Sequence, residues 1–295
     1  MFADTRRAVA RTYHDVLANQ TLQAAAALSY YSILSIFPAL ILLSAVMSHI
    51  PLPDFFQDAL TAMGRVVPPG IMPMVYAVMK DVLSANSGAW LSFGTLGTLW
   101  VVSSAFDELI EALDKAYDVD DHRPFWRDRL LALGLAAVTA SFLICGIATI
   151  IAGSTLGAWL ASRLFVRGAF VLLWPYLHWT IAVSFTLVAV QTIYFLAPNV
   201  KQRFLATLPG AVLSVVCWIA LSDLLGIYFR YFGNYNRTYG TLGGVMALIT
   251  WLYWAYFILL AGGELNAQLA KARKSSQPSA DDNPADSGQN IDRVA

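Results

Sequence analysis

The chain has 295 residues, 58% of them hydrophobic and 13% charged. Soluble domains carry about 25% charged residues, so a water-soluble fold of this size would have nowhere to hide its apolar surface, and the solvent is a bilayer. The 19 basic and 19 acidic side chains cancel, which argues against a general polyanion binder.

In chain order, residues 1–22 form a cytoplasmic amphipathic segment carrying Arg6, Arg7 and Arg11, with no cleavable signal. A bilayer core needs about 20 apolar residues per helix. Six stretches meet that length: 23–49, 90–112, 130–153, 173–197, 205–228 and 243–267. The first is long enough to tilt or bend, with Pro38 as the place. Between the first two spans, DFFQDALTAMGRVV and MPMVYAVMKDVL are short, Pro-bounded and amphipathic, which predicts short helices on the external membrane surface within 51–88. The region 271–295 lacks apolar content and reads as a disordered cytoplasmic tail. The expected architecture is an all-α integral membrane protein, with a six-span domain over 23–270.

Lys and Arg set the orientation. Thirteen of them fall in the two terminal segments, the second loop (Lys115, Arg123, Arg127, Arg129) and the fourth (Lys201, Arg203). Six fall on the other side, which places both termini in the cytoplasm. The phrase Gly-Thr-Leu-Gly occurs at 94–97 and again at 240–243. Both copies are expected on the external side, where the chain turns back into the membrane and glycine permits close helix approach.

Five stretches together resemble the YihY/BrkB family: AAAALSYYSILSIFPALILL (24–43), ALDKAYDVDDHRPFWRDR (112–129), FLAPNVKQRFLATLPGAVLS (195–214), FGNYNRTYGTLGG (232–244) and LITWLYWAYFILLAGGELNAQL (248–269). The resemblance covers about residues 22 to 270. One departure is Val200, where the family has a basic residue after Pro-Asn; Lys201 and Arg203 keep that loop basic. The resemblance implies a bacterial inner-membrane protein with six spans. It supplies no defined activity, since the family has carried ribonuclease and virulence-factor labels as well as proposals of lipid or envelope-related transport.

Asp107, Glu111 and Asp114 fall at i, i+4 and i+7, on one helical face. Counted at about 1.5 Å per residue, Asp107 and Glu264 reach a similar depth near the cytoplasmic rim. Acids at a helix C-terminus work against its dipole, so something must offset them. Two readings stand: ion pairing with Lys115 and the arginines just beyond, or binding of a cation, proton or headgroup by intramembrane acids. Asp107 and Glu111 are expected to face the interior near Glu264. Ser29, Ser32 and Ser35 line one stripe of the first span beside Tyr30 and Pro38. Helix packing explains that stripe, and backbone opened to a cavity at Pro38 is the alternative. Asp107, Glu111, Asp114, Glu264, Ser29, Tyr30 and Pro38 are therefore the candidate substrate-binding residues.

Enzyme signatures such as CxxC, HExxH, GxSxG or a Walker loop are absent from the sequence. Cys145 and Cys217 lie in separate apolar runs and read as small hydrophobes. No catalytic residue, metal or cofactor is expected, and the scattered histidines disfavour a ribonuclease. The expected function is that of a transporter-like or envelope-lipid-handling protein. The rivals are a membrane scaffold and, behind it, an intramembrane enzyme. Membrane lipids are the expected partners and nucleic acid is not; a second copy of the chain or an envelope protein is the further alternative.

Overall fold

The computed structural model describes residues 18–47, 88–119, 123–163, 167–231 and 235–275, together with Thr12, Met72, Tyr76 and Ala77. Among the described residues there are six long α-helices: α1 (Thr21–Met47), α2 (Gly88–Ala116), α3 (Phe125–Arg163), α4 (Arg167–Leu196), α5 (Leu208–Tyr231) and α6 (Tyr235–Ser275). A short 3-10 turn, Phe204–Thr207, precedes α5. No strand occurs among the described residues. Among the described residues four stretches, Phe125–Ile150, Tyr176–Leu196, Phe204–Ile227 and Gly244–Arg273, are long and apolar enough to cross a membrane. The fold is that of an all-α membrane protein.

The helices overrun the spans expected from bilayer thickness. α3 has 39 residues, roughly 58 Å at the standard helical rise, so it extends well beyond a hydrocarbon core of about 30 Å. The external connection expected after residue 153 therefore shrinks: α3 continues to Arg163 and α4 starts at Arg167. Neither Gly-Thr-Leu-Gly phrase marks a turn. The first lies inside α2 and the second inside α6, which begins at Tyr235. Neither tetrapeptide contains a proline, so neither removes a backbone N–H from the helix it lies in. The packing role of glycine does hold at Gly97, where a Cβ would meet the Pro38 ring at 3.4 Å. Pro38 itself sits inside α1. Residues 1–22 apart from Thr12 and 18–22, the amphipathic helices expected within 51–88 apart from Met72, Tyr76, Ala77 and Gly88, and the tail from 276 onward lie outside the described residues.

The helices pack in chain order. α1 lies along α2, α2 on α3, α3 on α4, α4 on α5 and α5 on α6, and α6 closes on α1. α2 also touches α6 across this ring. One end is sealed by a buried cluster in which Leu28, Leu109, Leu113, Leu135, Tyr194 and Leu260 meet. The outer surface carries large apolar side chains that water would not tolerate as a continuous belt, among them Leu130, Ile144, Leu177, Val216, Leu224 and Trp254. A bilayer supplies the missing solvent.

Candidate functional site

The sequence-predicted carboxylates end up with four different partners. Asp107 on α2 forms an ion pair with Arg129 on the first turns of α3. Arg129 also donates to Ser104 Oγ at 3.2 Å and lies over the Trp100 ring, 5.1 Å from its centroid. Asp114 Oδ1 accepts from the Asn199 backbone N–H at 2.7 Å, which ties the end of α2 to the loop between α4 and α5. Glu264 on α6 is 2% exposed and accepts from Asn19 Nδ2 at 2.8 Å. Glu111, expected to face inward, does not: its carboxylate is 61% exposed and held by Lys115 one turn on, at 2.8 Å. The i, i+4 ion pair satisfies it at the surface, so nothing draws it inside. The dipole conflict at the end of α2 is offset from α6, where Lys271 bonds Asp118 at 2.5 Å and donates to the Ala116 carbonyl at 3.4 Å.

The other three candidates also separate. Ser29 is buried and donates to the Ala26 carbonyl of its own helix at 2.7 Å. Tyr30 is 62% exposed and points off the bundle, in edge contact with Tyr31. Pro38 faces Gly97 across the α1–α2 seam. Of that stripe it is Ser32 that reaches across, sharing a 2.5 Å hydrogen bond with Tyr256 on α6.

Around Glu264 the structure gathers a polar knot that the candidate list mostly lacks. Asn266 Nδ2 donates to the Thr207 carbonyl at 2.9 Å, and its Oδ1 accepts from the Gly210 N–H at 2.8 Å. The second bond satisfies an N–H in the first turn of α5, which has no helical partner, and the first ties α6 to the residue just before that helix. Gln202 donates to the Tyr194 carbonyl at 2.7 Å, and Gln191 to the Phe204 carbonyl at 3.0 Å. Tyr194, fully buried, shares a 2.7 Å bond with Ser214 and donates to the Leu259 carbonyl. Tyr117, just beyond α2, has its hydroxyl buried without a hydrogen bond among the described residues. Burial pushes its phenol up to about 12, with Gln202 pulling the other way and the charge of Glu264 adding. Two glycines make this density achievable: a Cβ at Gly262 would lie 2.6 Å from Tyr194 Oη and 2.8 Å from the Gly210 carbonyl, and one at Gly210 would strike the Gly262 carbonyl, while at Gly263 it would meet the end of the Leu113 side chain. The visible sequence signals were the amides and glycines inside apolar runs, as in LVAVQTIYFL and LLAGGELNAQL. Buried amides must be hydrogen-bonded, so they mark contacts in advance.

Adjoining the knot is a cavity of about 430 Å³ to which all six helices contribute: Leu28, Phe106, Leu143, Ala189, Trp218 and Tyr256 stand for α1 to α6 in order. Its lining is mostly aliphatic and aromatic, and none of the candidate carboxylates reaches it. The hydroxyls present are already used. Thr186 bonds the Ala182 carbonyl, Ser214 bonds Tyr194, and Tyr256 bonds Ser32. Thr139 Oγ1 is the exception, buried without a partner among the described residues. Such a chamber offers little to a hydrated ion and much to a hydrocarbon chain.

At the sealed end lies a second, open crevice of about 770 Å³, bounded by residues 195 to 203 without Ala197, and by Arg123. Arg123, its side chain 19% exposed, donates to the Ala197 carbonyl at 3.1 Å. Among the described residues no three His, Cys, Asp or Glu side chains gather as a metal site would need.

Comparison with known proteins gives this architecture relatives. Residues 12–286 match the family model described as "Virulence factor BrkB". The chain is 30% identical to the "ribonuclease-like protein YfkH" of Bacillus subtilis (strain 168), over 84% of this chain and 90% of that one. It is 28% identical to a "UPF0761 membrane protein" of Tolumonas auensis, over 83% of this chain and 79% of that one. It is 24% identical to the "UPF0761 membrane protein Smlt0865" of Stenotrophomonas maltophilia (strain K279a), spanning 88% of this chain but 60% of that longer relative. No solved structure matches.

Proposed function

This chain belongs to the BrkB family of membrane proteins, and on that premise we propose that it handles membrane lipid, taking an acyl chain into the cavity its six helices enclose. The observation that carries this reading is the cavity. Its volume of about 430 Å³ lies in the usual range of ligand sites, about 300–1,000 Å³, and its lining matches a hydrocarbon occupant. Leu143 of that lining is also 41% exposed, so the lateral approach from the bilayer runs past α3. In this reading the chain is a multi-pass protein of the bacterial inner membrane, with both termini in the cytoplasm as the Lys and Arg distribution favours. Membrane lipid is its partner, and neither nucleic acid nor enzymatic chemistry takes part.

Transport of a hydrated polar solute would call for carboxylates and unpaired hydroxyls along the chamber, and a pure scaffold would call for a filled bundle. The ribonuclease-like name of the Bacillus relative is not carried over, because an apolar chamber offers RNA neither charge nor stacking at a reachable surface.

The test is lipid exchange between leaflets in proteoliposomes, read by chemical quenching of a headgroup-labelled phospholipid. The full-length protein should accelerate exchange, and Ala189→Phe, which narrows the chamber, should return it towards the protein-free rate at an unchanged melting temperature. A photoreactive acyl chain should crosslink to cavity residues in the unmodified protein and not in this variant. Neither exchange nor crosslinking in the unmodified protein would rule the reading out.

A further inference from the structure

We propose that the crevice at the sealed end, where Arg123, Lys201 and Arg203 surround the loop between α4 and α5, is a binding site for a phosphate-type anion. The chemistry is shared by a phospholipid headgroup and by free phosphate. As a headgroup site the crevice rests on the lipid reading above; as an anion site it stands without it.

Three observations converge. First, among the described residues every charged side chain lining the crevice is a cation: Arg123, Lys201 and Arg203. Second, Arg123 is built in. Its guanidinium is mostly withdrawn from water and spends one N–H on the Ala197 carbonyl. The Asp128 carboxylate stands 3.9 Å away, outside hydrogen-bonding reach. Of the five donors a guanidinium carries, the rest make no hydrogen bond among the described residues, and a fork of this kind suits a phosphate's oxygens. Lys201 and Arg203 make neither an ion pair nor a side-chain hydrogen bond among the described residues.

Third, the site sits at the depth where phosphate is found. Leu196, Phe204 and Leu205, which flank the two rim cations in sequence, are 39%, 40% and 75% exposed. In a bilayer those apolar side chains belong at the hydrocarbon edge, which puts Lys201 and Arg203 at headgroup level.

The loop is held ready for a ligand. The Asn199 N–H is bound by Asp114, Gln202 by the Tyr194 carbonyl and the Phe204 carbonyl by Gln191. Val200 N–H closes a tight turn on the Pro198 carbonyl at 2.9 Å. A site whose backbone is fixed in advance loses little entropy when it binds. This assigns a role to the stretch APNVKQR that apolar packing alone leaves unexplained.

The experiment is native mass spectrometry of the full-length protein in neutral detergent, titrated with phosphatidylglycerol alone and with inorganic phosphate as competitor. The double variant K201Q/R203Q removes two exposed charges that make no ion pair or side-chain hydrogen bond among the described residues, so the fold is kept. It should weaken phosphatidylglycerol binding about tenfold. R273Q/K274Q removes the same charge from the same end of the bundle and should change binding by less than about twofold. Displacement of the lipid by phosphate would identify a simple phosphate site; binding that resists phosphate would identify a headgroup site, and both support the proposal. Unchanged binding in K201Q/R203Q, or an equal loss in R273Q/K274Q, would overturn it. Crosslinking of photoreactive phosphatidylcholine into the central cavity, run in parallel, keeps the two proposals apart. If crosslinking persists while the crevice fails, only the anion site falls. If the crevice binds and crosslinking is absent, the lipid reading falls alone.

Discussion

Two neighbouring parts of the interior are built on opposite terms. Around Glu264, Asn266, Tyr194 and Gly262 the helices touch backbone to backbone, and almost every polar atom has a partner. A turn or two away, the same helices stand apart around about 430 Å³ lined by apolar side chains. Lipid tails are as apolar as leucine, so burial alone does not pull membrane helices together; close packing and hydrogen bonds do. The knot supplies that attraction at one end, which frees the middle of the bundle from having to be filled. The contrast is one between a place that holds the helices together and a place where they leave room.

The largest expected effect comes from breaking the knot. Gly262→Ala puts a methyl within 2.8 Å of the Gly210 backbone carbonyl, where no rotamer change can relieve it. We expect a loss of about 3 kcal/mol or more, at the upper end of overpacking costs, or failure to accumulate in the membrane. Gly97→Ala, whose Cβ would meet Pro38 at 3.4 Å, is the matched control and should be much milder. Thermal unfolding in detergent distinguishes them; equal melting temperatures would mean the knot is no tighter than the α1–α2 seam.

Next in size is Asn266→Leu. It strands the buried Gly210 N–H, at about 1–3 kcal/mol for an unsatisfied group, and removes the bond to the Thr207 carbonyl. Hydrogen exchange at the start of α5 should rise sharply, and unchanged protection there would contradict the assigned cap.

Asp107→Asn comes third, at about 2 kcal/mol for a partly buried pair that loses one charge. If the acid only pairs with Arg129, the double variant D107N/R129Q should be less destabilised than the sum of the singles, and lipid exchange should follow stability. Lost exchange at full stability would instead assign Asp107 a part in function.

On the cavity side the sign reverses. Thr139→Val removes a buried hydroxyl without a partner among the described residues and should stabilise by about 1 kcal/mol. Destabilisation would show that a bound polar group uses that hydroxyl. Smallest is Tyr30→Leu on the outer face, expected within about 0.5 kcal/mol.

Much of the fold was legible because hydropathy runs map directly onto helices. What hydropathy missed were the ends, since it reports the slab of membrane and not the point where backbone hydrogen bonding stops. α3 continues past its expected end at residue 153 as far as Arg163, and α6 starts before its apolar run, at Tyr235. The acids were legible as exceptions in apolar surroundings, whereas their partners were not. Glu264 bonds Asn19, 245 positions away, and no local pattern encodes such a pairing. The spacing that aligned Asp107, Glu111 and Asp114 on one face was real, but a face is wide enough to send Glu111 to solvent while Asp107 meets Arg129. Gln191, Gln202, Asn266 and Tyr194 carry the knot, and their signal was only that polar groups inside apolar runs must be satisfied somewhere.

The closure of the ring by its first and last helices bears on how the molecule is made. Until α6 packs on α1, the future chamber is a trough open sideways. α6 has 41 residues, which at roughly 5–20 residues per second take about 2–8 s to synthesise. Throughout that interval the trough is wetted by the tails of the surrounding bilayer, and the final helix closes over whatever lies in it. If the chamber takes lipid as proposed, newly made protein starts out loaded, and the first molecule to leave is one the protein was assembled around.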